Sequence, residues 1–460
     1  MRFFAVVLTL ALVLTACAVP ASAPAPEPEP LPQPLLASPD LPQRQRAAEL
    51  PHTLWRQDPE ARQAAIQSLP PVIEGICIDN YVTGMTLVVF DAWGTVYQQS
   101  CGYAVVETGR YADEDTIYRI ASISKAVTAM LALDLAGQGR LDLDGDLTEI
   151  MGVPVRNPLF PDQPITPRHL LTHTSGIVDS SAYGDGISAF PIWPLERVVS
   201  RSFSPYAPGS RYSYTNLGMG MMAGVVESAA GEQFPDYTRR EIFAPMGIDA
   251  AFGYSDIQHK DRVANIYTGT GLSVYMPSWQ GMMGKYAALP LGQLYGLGHG
   301  DLFITAADLS RFARILAGCP QPGEPVKLTP ELLRQMQTVQ YEEEPTPESY
   351  TEIKRGLGTH ITDQLVANRR MVGHQGNAYG SICGMFVDPA DHTGFVFLTN
   401  GAWGGKDEAG LYYVNRDIAR AVYAALFTPP GESVEPAEGS IAVTEAEDAP
   451  QALVEEAPAP

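Results

Sequence analysis

A serine followed three residues later by a lysine is the pairing in this chain best suited to nucleophilic chemistry. Ser122-Ile123-Ser124-Lys125 heads a stretch with apolar residues at helical spacing, from Ser122 to Ala136, that ends in Gly137-Gln138-Gly139. Residues three apart on a helix share a face. A serine hydroxyl attacks a carbonyl only when a neighbouring base takes its proton. A lysine can be that base when burial or another cation lowers its pKa. The flanks, Tyr118-Arg119-Ile120-Ala121 and Ala126-Val127, are apolar enough to bury the pair. At a helix start, Ser122 also gains backbone N–H groups facing the reacting oxygen. Ser122 alone among the serines has a lysine at this spacing. A helix cap beside a solvated lysine would leave the same trace, so the motif needs company.

Two further clusters supply it. Tyr214-Thr215-Asn216 offers a phenol that could relay a proton to a leaving group and an amide that could hold a substrate amide. A core tyrosine with a satisfied hydroxyl is the plainer reading. The same spacing recurs at Tyr413-Val414-Asn415, but there it falls inside the helical stretch Leu411–Leu426 and is set aside. Gly373-His374-Gln375-Gly376-Asn377 is expected to precede a strand rich in small residues, Ala378 to Gly384, along which a substrate backbone could lie. Lys354-Arg355-Gly356 ranks below it as a third element. His392, in the turn of DPADHTG, lies where a site residue would be poorly placed.

In this order the three clusters resemble the motifs of serine β-lactamases of the class C type, D-Ala-D-Ala carboxypeptidases and related esterases, the penicillin-recognising family. Intervals of 92 residues from Ser122 to Tyr214 and 160 from Tyr214 to His374 are of the order that family shows. TPRHLLTHTSGI at 166–177, DLFITAADLSRF at 301–312 and FVFLTN at 395–400 add to the likeness, which covers roughly 80–427. The resemblance implies that Ser122 becomes acylated while Lys125, with Tyr214, accepts and returns the proton. It implies an oxyanion hole from the backbone N–H groups of Ser122 and Asn377, with Asn216, His374, Gly376 and the segment 377–380 aligning substrate. It implies no metal and no organic cofactor. One departure stands out. The third motif is commonly Lys-Thr-Gly, and its lysine helps bind a carboxylate; here it is His-Gln-Gly, and an unperturbed histidine is mostly neutral at pH 7. A cation for a substrate carboxylate must then come from elsewhere.

The elements around these clusters point to an α+β fold. Thr86–Phe90 and Thr95–Gln99 read as a hairpin, and Ser381–Val387 and Gly394–Thr399 as strands. Thr166-Pro167 starts a helix. Leu309–Leu316 and Pro330–Gln337 are helix-like, and Leu411–Leu426 closes the body as a helix. Strands from both ends must share one antiparallel sheet flanked by helices, with an inserted all-helical lobe between them. The site is expected where sheet and lobe meet.

Composition bounds the rest. The 460 residues carry a formal net charge of −22. Residues 428–460 hold eight acids and no base. No basic stripe is present, which speaks against nucleic-acid binding. Met1-Arg2, the apolar run Phe3–Leu14 and Leu14-Thr15-Ala16-Cys17 read as a lipoprotein signal peptide over 1–16, with lipid expected on Cys17. A Pro/Ala-rich tether over 17–44 follows, then the hydrolase domain, 45–427, then an acidic disordered tail, 428–460. The domain would thus sit at the outer face of a bacterial membrane. An exported chain permits disulfides, and Cys77–Cys101 is the pairing expected first, with Cys319–Cys383 behind it. His169 and His173 could clamp a metal on one helix face, but no third ligand is evident and a packing helix is the simpler reading. No Gly-x-Ser-x-Gly elbow, phosphate loop or dinucleotide fingerprint occurs. The function expected is acyl-enzyme hydrolysis of D-Ala-D-Ala-type cell-wall peptides. A β-lactamase or esterase of the same family is the alternative, and a non-catalytic muropeptide- or β-lactam-binding lipoprotein is the alternative of another class.

Overall fold

The computed structural model describes residues 59–189, 191–268, 289–344, 353–429 and 432–435, all of them in the unit His52–Pro460. The signal segment, Cys17, the tether and most of the acidic tail lie outside the described residues. In chain order the strands are β1 (Gly84–Asp91), β2 (Gly94–Val105), β3 (Arg110–Tyr111), β4 (Ile117–Arg119), β5 (Ala251–Phe252), β6 (Leu302–Thr305), β7 (Tyr341–Glu343), β8 (Ile353–Gly356), β9 (Thr359–Thr362), β10 (Met371–Ala378), β11 (Ser381–Asp388) and β12 (Thr393–Thr399). The described helices longer than ten residues are α1 (Pro59–Asp79), α2 (Ile123–Gly137), α3 (Asn216–Ala230), α4 (Ala306–Leu316) and α5 (Tyr413–Leu426).

Nine strands form one antiparallel sheet in the order β3-β2-β1-β12-β11-β10-β9-β8-β7. Strands far apart in the sequence meet as the third and fourth of the nine, where β1 runs against β12 with Met85 opposite Thr399 and Phe90 opposite Gly394. Both faces are covered. Val88, Phe90, Met385, Val387, Val396 and Leu398 face α2, α4 and the helical lobe. Met85, Leu87, Val89, Phe386, Phe395 and Phe397 face α1 and α5. Such strands read as continuous apolar runs, as TLVVF and FVFLT do, because neither face meets water. The α5 sequence buries Val414, Ile418, Val422 and Leu426, one stripe at fourfold spacing. The lobe between β4 and β6 carries α3 and several helices of eight residues or fewer. No helix among the described residues is long and apolar enough to cross a membrane.

Four expectations need correction. Residues 378–384 are not one strand: β10 ends at Ala378 and β11 begins at Ser381. Tyr379 and Gly380 form the turn between them, both with positive φ (56° and 103°), the backbone that a two-residue hairpin turn requires. His374 to Asn377 therefore lie in a strand rather than ahead of one. Helix α1 went unread because Pro70-Pro71 sits inside it. Two prolines remove two helix donors, yet the helix runs on, docked through Leu69, Ile73 and Cys77. Ordered structure also passes residue 427, where Ala367 N–H donates to the Val434 carbonyl and Val434 packs on the α1–α5 face. Finally, all four described cysteines are free thiols. Cys77 and Cys101 lie in the same apolar layer and are joined by a side-chain hydrogen bond, not by a disulfide. Cys383 is instead hydrogen-bonded to Ser381 and Thr399, and Cys319 to the His392 carbonyl.

Helix α5 is locked to the sheet by Asn415, which donates to the Cys383 carbonyl at 2.9 Å. Room for that amide exists because residue 384 is glycine: a β-carbon there would stand 2.9 Å from Asn415 Oδ1 and 3.0 Å from its Cγ. Gly384→Ala should therefore lower stability by about 1–3 kcal/mol, the usual cost of overpacking, measured as a fall in denaturation midpoint without a change in slope.

Candidate active site

Ser122 stands where β4 turns into α2. The turn is made at Ala121, whose φ of 47° is in the left-handed region, a conformation that costs a residue with a side chain about 1–3 kcal/mol. No backbone acceptor takes the Ser122 N–H among the described residues, whereas those of Ile123, Ser124 and Lys125 bond to Ile120, Ala121 and Ser122. Strand β10 approaches this junction closely. A β-carbon at Gly376 would lie 2.4 Å from the Ile120 carbonyl oxygen and 3.4 Å from Ala121 Cβ. Glycine at 376 is what lets His374 and Asn377 reach the serine.

Lys125 is 1% exposed. Its Nζ meets three oxygens: Ser122 Oγ at 3.0 Å, Asn216 Oδ1 at 2.8 Å and the His299 carbonyl at 2.7 Å. The last two can only accept hydrogens, so they take two from Nζ. The remaining direction, toward Ser122, carries the third hydrogen when the amine is charged and the lone pair when it is neutral. Burial brings the Lys125 pKa down to about 7, against the opposing pull of Asp179. Around neutral pH the lysine thus stands ready to receive the Ser122 proton. The His299 carbonyl is held in place by helix α2 itself, through Thr128 Oγ1, which donates to the adjacent Gly298 carbonyl at 2.8 Å.

Tyr214 donates to Ser122 Oγ from the other side, at 2.8 Å. The residue as a whole is 39% exposed, but the hydroxyl points inward to Ser122, and the ring lies 4.5 Å from the His173 ring and 4.9 Å from Lys125 Nζ. Burial of that hydroxyl pushes its pKa up to about 12, with the Ser122 bond and Arg355 working the other way. Tyr214 is therefore a neutral donor at pH 7. His173 clamps the tyrosine segment twice, its carbonyl accepting from Ser213 N–H at 2.8 Å and its Nδ1 from Thr215 N–H at 3.3 Å. This is its place in the fold. His169 does separate work, closing a capping box with Thr166 at the start of the short helix Pro167–Leu171.

The cleft, about 510 Å³, is lined by Ser122, Tyr214, Asn216, His374 and Asn377 together with Arg355, His360 and Lys406, and, among the described residues, by no aspartate or glutamate. His374 Nδ1 faces the Gln375 carbonyl at 2.5 Å; as a donor there it leaves Nε2 as an acceptor. Burial, then the charge of Lys125, pushes its pKa down to about 3, so it brings no cation. Sequence reasoning missed the groups that do. Arg355 lies over the Tyr212 ring at 4.8 Å, with its buried Nε unpartnered among the described residues. Lys406 lies over Tyr412 at 4.5 Å. Tyr412 is tied to the third motif by Asn377 Nδ2, which donates to its hydroxyl at 2.8 Å. Arg355 is the middle residue of the Lys-Arg-Gly segment ranked second in the sequence, whereas its neighbour Lys354 pairs with Asp363 at 3.3 Å. His392 lies away from the cleft lining, its Nδ1 against the Ala317 carbonyl at 2.5 Å. Asn415 belongs to the α5 lock. No cluster of three or more potential metal ligands occurs among the described residues.

A fold with a serine, a buried lysine and a tyrosine converging between an antiparallel sheet and a helical lobe defines a penicillin-recognising serine hydrolase. The family model of Beta-lactamase matches residues 73–420, and the chain belongs to that family. It is similar to esterase EstB of Burkholderia gladioli, 26% identical over 300 residues, 60% of this chain and 75% of the esterase. It is also similar to the D-alanyl-D-alanine-carboxypeptidase/endopeptidase AmpH of Escherichia coli K12, 28% identical over 172 residues. That match covers 36% of this chain and 44% of the carboxypeptidase, less than half its length. In three dimensions the chain is similar to the octameric penicillin-binding protein homologue from Pyrococcus abyssi, with a TM-score of 0.62 at 22% identity, covering 80% of this chain and 79% of the other.

The geometry assigns a pH dependence. With Lys125 as the base, acylation of Ser122 would need the neutral amine, and its rate should rise with pH through a limb centred near 7, where burial brings that pKa. The buried rings of His299 and His374, brought down to about 4 and about 3, have lost their protons well before that limb. The pH profile of acylation by an activated ester, corrected with the Ser122→Ala protein, checks this. A single limb above pH 9 would remove Lys125 from the role of base.

Proposed function

We propose that the protein hydrolyses a substrate with a free carboxylate near the scissile carbonyl, in the first instance a D-Ala-D-Ala-type peptide of the cell wall. The observation that carries this reading is the pairing, in one cleft, of a Ser122 flanked by Lys125 and Tyr214 with two cations and, among the described residues, no carboxylate. In a chain of net charge −22, a lining of that sign is a local provision for an anion.

The steps follow from the contacts. Ser122 passes its proton to the Lys125 lone pair as Oγ attacks the carbonyl. The oxyanion that forms sits at the N-terminus of α2, within reach of the Ser122 N–H and of β10 at Asn377. A preorganised donor of this kind contributes about 2.7–4 kcal/mol to the transition state. Collapse expels the leaving amine, which takes the Tyr214 proton, and Lys125 returns its proton to the phenol. Water then repeats the sequence on the acyl-enzyme. Arg355 would hold the substrate carboxylate, a task the neutral His374 does not fill. Export, with lipid on Cys17 and the 17–44 segment as tether, would place this chemistry beside its substrate; the sequence of residues 1–44 supports that part of the reading.

A second reading, ester hydrolysis, is favoured by the length over which the chain is similar to esterase EstB. The two readings separate on Arg355. Intact mass and product release would be followed with a penicillin, a D-Ala-D-Ala peptide and a neutral short-chain ester, each against Ser122→Ala as the blank. Arg355→Met should raise KM for the peptide about 10- to 100-fold, the weight of a charge-assisted hydrogen bond, and leave the neutral ester unchanged. Equal loss on both substrates would sink the carboxylate assignment. Product formation by Ser122→Ala at the native rate would sink the acyl-enzyme itself.

A further inference from the structure

We infer that Asp179 is a positioning residue of the active site: it fixes the Asn216 amide so that its oxygen, and not its nitrogen, faces Lys125, and thereby aims the lysine lone pair at Ser122. The inference rests on Lys125 as the base. Asp179 lies in the loop after the Thr174-Ser175-Gly176 turn, and both carboxylate oxygens are engaged by the N-terminus of α3. Oδ1 accepts from Thr215 Oγ1 at 2.7 Å and from Leu217 N–H at 2.8 Å. Oδ2 accepts from Asn216 N–H at 2.9 Å and from Asn216 Nδ2 at 3.0 Å.

The last of these bonds decides the chemistry. An amide has one face that donates and one that accepts. A carboxylate only accepts, so it captures the Nδ2 face of Asn216 and leaves Oδ1 pointing to Lys125 Nζ at 2.8 Å. Turned the other way, Asn216 would press N–H groups against the amine and reach Asp179 with an oxygen. The row Asp179–Asn216–Lys125–Ser122 is thus one chain of hydrogen bonds with a fixed sense. A helix cap alone would not need it. Thr215 already caps α3 through Gly218 N–H, and Asp179 adds to that cap a bond to the side chain of a site residue.

Asp179 also places a negative charge near the amine and raises its pKa against burial. The other groups around Lys125 are Arg119 and Asp301 from β4 and the loop before β6, His299 from that loop, His173 and Tyr214 from the lobe, and His374 from β10. Two of these, Asp301 and Arg119, pair with each other at 2.8 Å, and Tyr214 is neutral. Asp179 is therefore the carboxylate in this set with no opposing charged partner in contact among the described residues, and its removal should shift Lys125 in a known direction. With that negative charge gone the ammonium is less favoured, so the acid limb of the rate profile moves to lower pH.

The test is the pH profile of acylation by p-nitrophenyl butyrate in the wild type, Asp179→Asn and Asp179→Ser, the serine variant keeping a side chain that can still cap α3. Folding is checked by circular dichroism. Two changes are expected: a limb lower by roughly half a pH unit, since Asp179 is solvent-exposed and its field is screened, and a plateau rate lower by about tenfold from the loosened amide. A limb that stays in place in a folded variant overturns the inference, as does failure of both variants to fold, which would make Asp179 a folding determinant. A wild-type limb far from pH 7 would instead fault the assignment of Lys125 as base, and the two failures are read from different curves.

Discussion

Everything in the site depends on a primary amine kept dry. Lys125 is held between two pure acceptors, the Asn216 amide oxygen and the His299 carbonyl. Those acceptors come from opposite parts of the fold, one from the first turn of a lobe helix and one from the loop leading into β6. Because each consumes one N–H, the nitrogen retains one direction for chemistry, and Ser122 occupies it. Burial does the remaining work by taking away the water that would stabilise the ammonium. Neither effect suffices alone. A dry amine with no fixed acceptors would aim its lone pair anywhere, and a fixed amine in water would stay charged at neutral pH.

The architecture can be read as the means of closing that pocket. Early and late strands pair at β1 and β12, so β10 is brought to α2 by a sheet that neither set could build by itself. Gly376 then permits contact with Ile120 and Ala121, and the positive φ of Ala121 turns the serine toward the cleft. Gly358 in the β8–β9 turn meets α2 from the same side, where a β-carbon would lie 2.2 Å from Ala129 Cβ. Two glycines thus seat the sheet edge on the helix that carries the nucleophile, and the lobe closes over its other flank through α3.

Much of this was written locally in the sequence, and the parts that were not have a common cause. Ser122 and Lys125 were legible because they lie three residues apart on one helix, Tyr214 and Asn216, 92 and 91 residues from their partners, through the resemblance to a family that orders its motifs this way, and the central strands because both faces are apolar. Helix α1 was hidden by Pro70-Pro71, since what keeps it helical is its packing on α5. The turn at Tyr379-Gly380 between β10 and β11 was hidden within the stretch 378–384, read as one strand, because small side chains mark a strand and a turn alike. Asp179, Arg355 and Lys406 had no local signature. They act on partners 37 to 38 residues away in the case of Asp179, or across a cleft whose walls come from β8 and from the segment before α5. Only the three-dimensional arrangement says which of the chain's many charges face inward.

That arrangement also accounts for a histidine where a relative would carry lysine. A cation at residue 374 would sit close enough to Lys125 to disfavour its ammonium, as the repulsion of His374 by Lys125 shows in reverse. The base would then be tuned by the same charge that binds substrate, and each substrate carboxylate would reset it on arrival. With a neutral ring at 374 and the cation moved to β8, the charges acting on Lys125 are Asp179, Arg119 and Asp301, and Arg355 is not among the principal ones. Under the proposed carboxylate role of Arg355, binding an anion would fall to strand β8 and holding a proton to helix α2. On this argument a histidine at 374 is compatible with the proposed carboxylate binding, through a different division of charge within the same cleft.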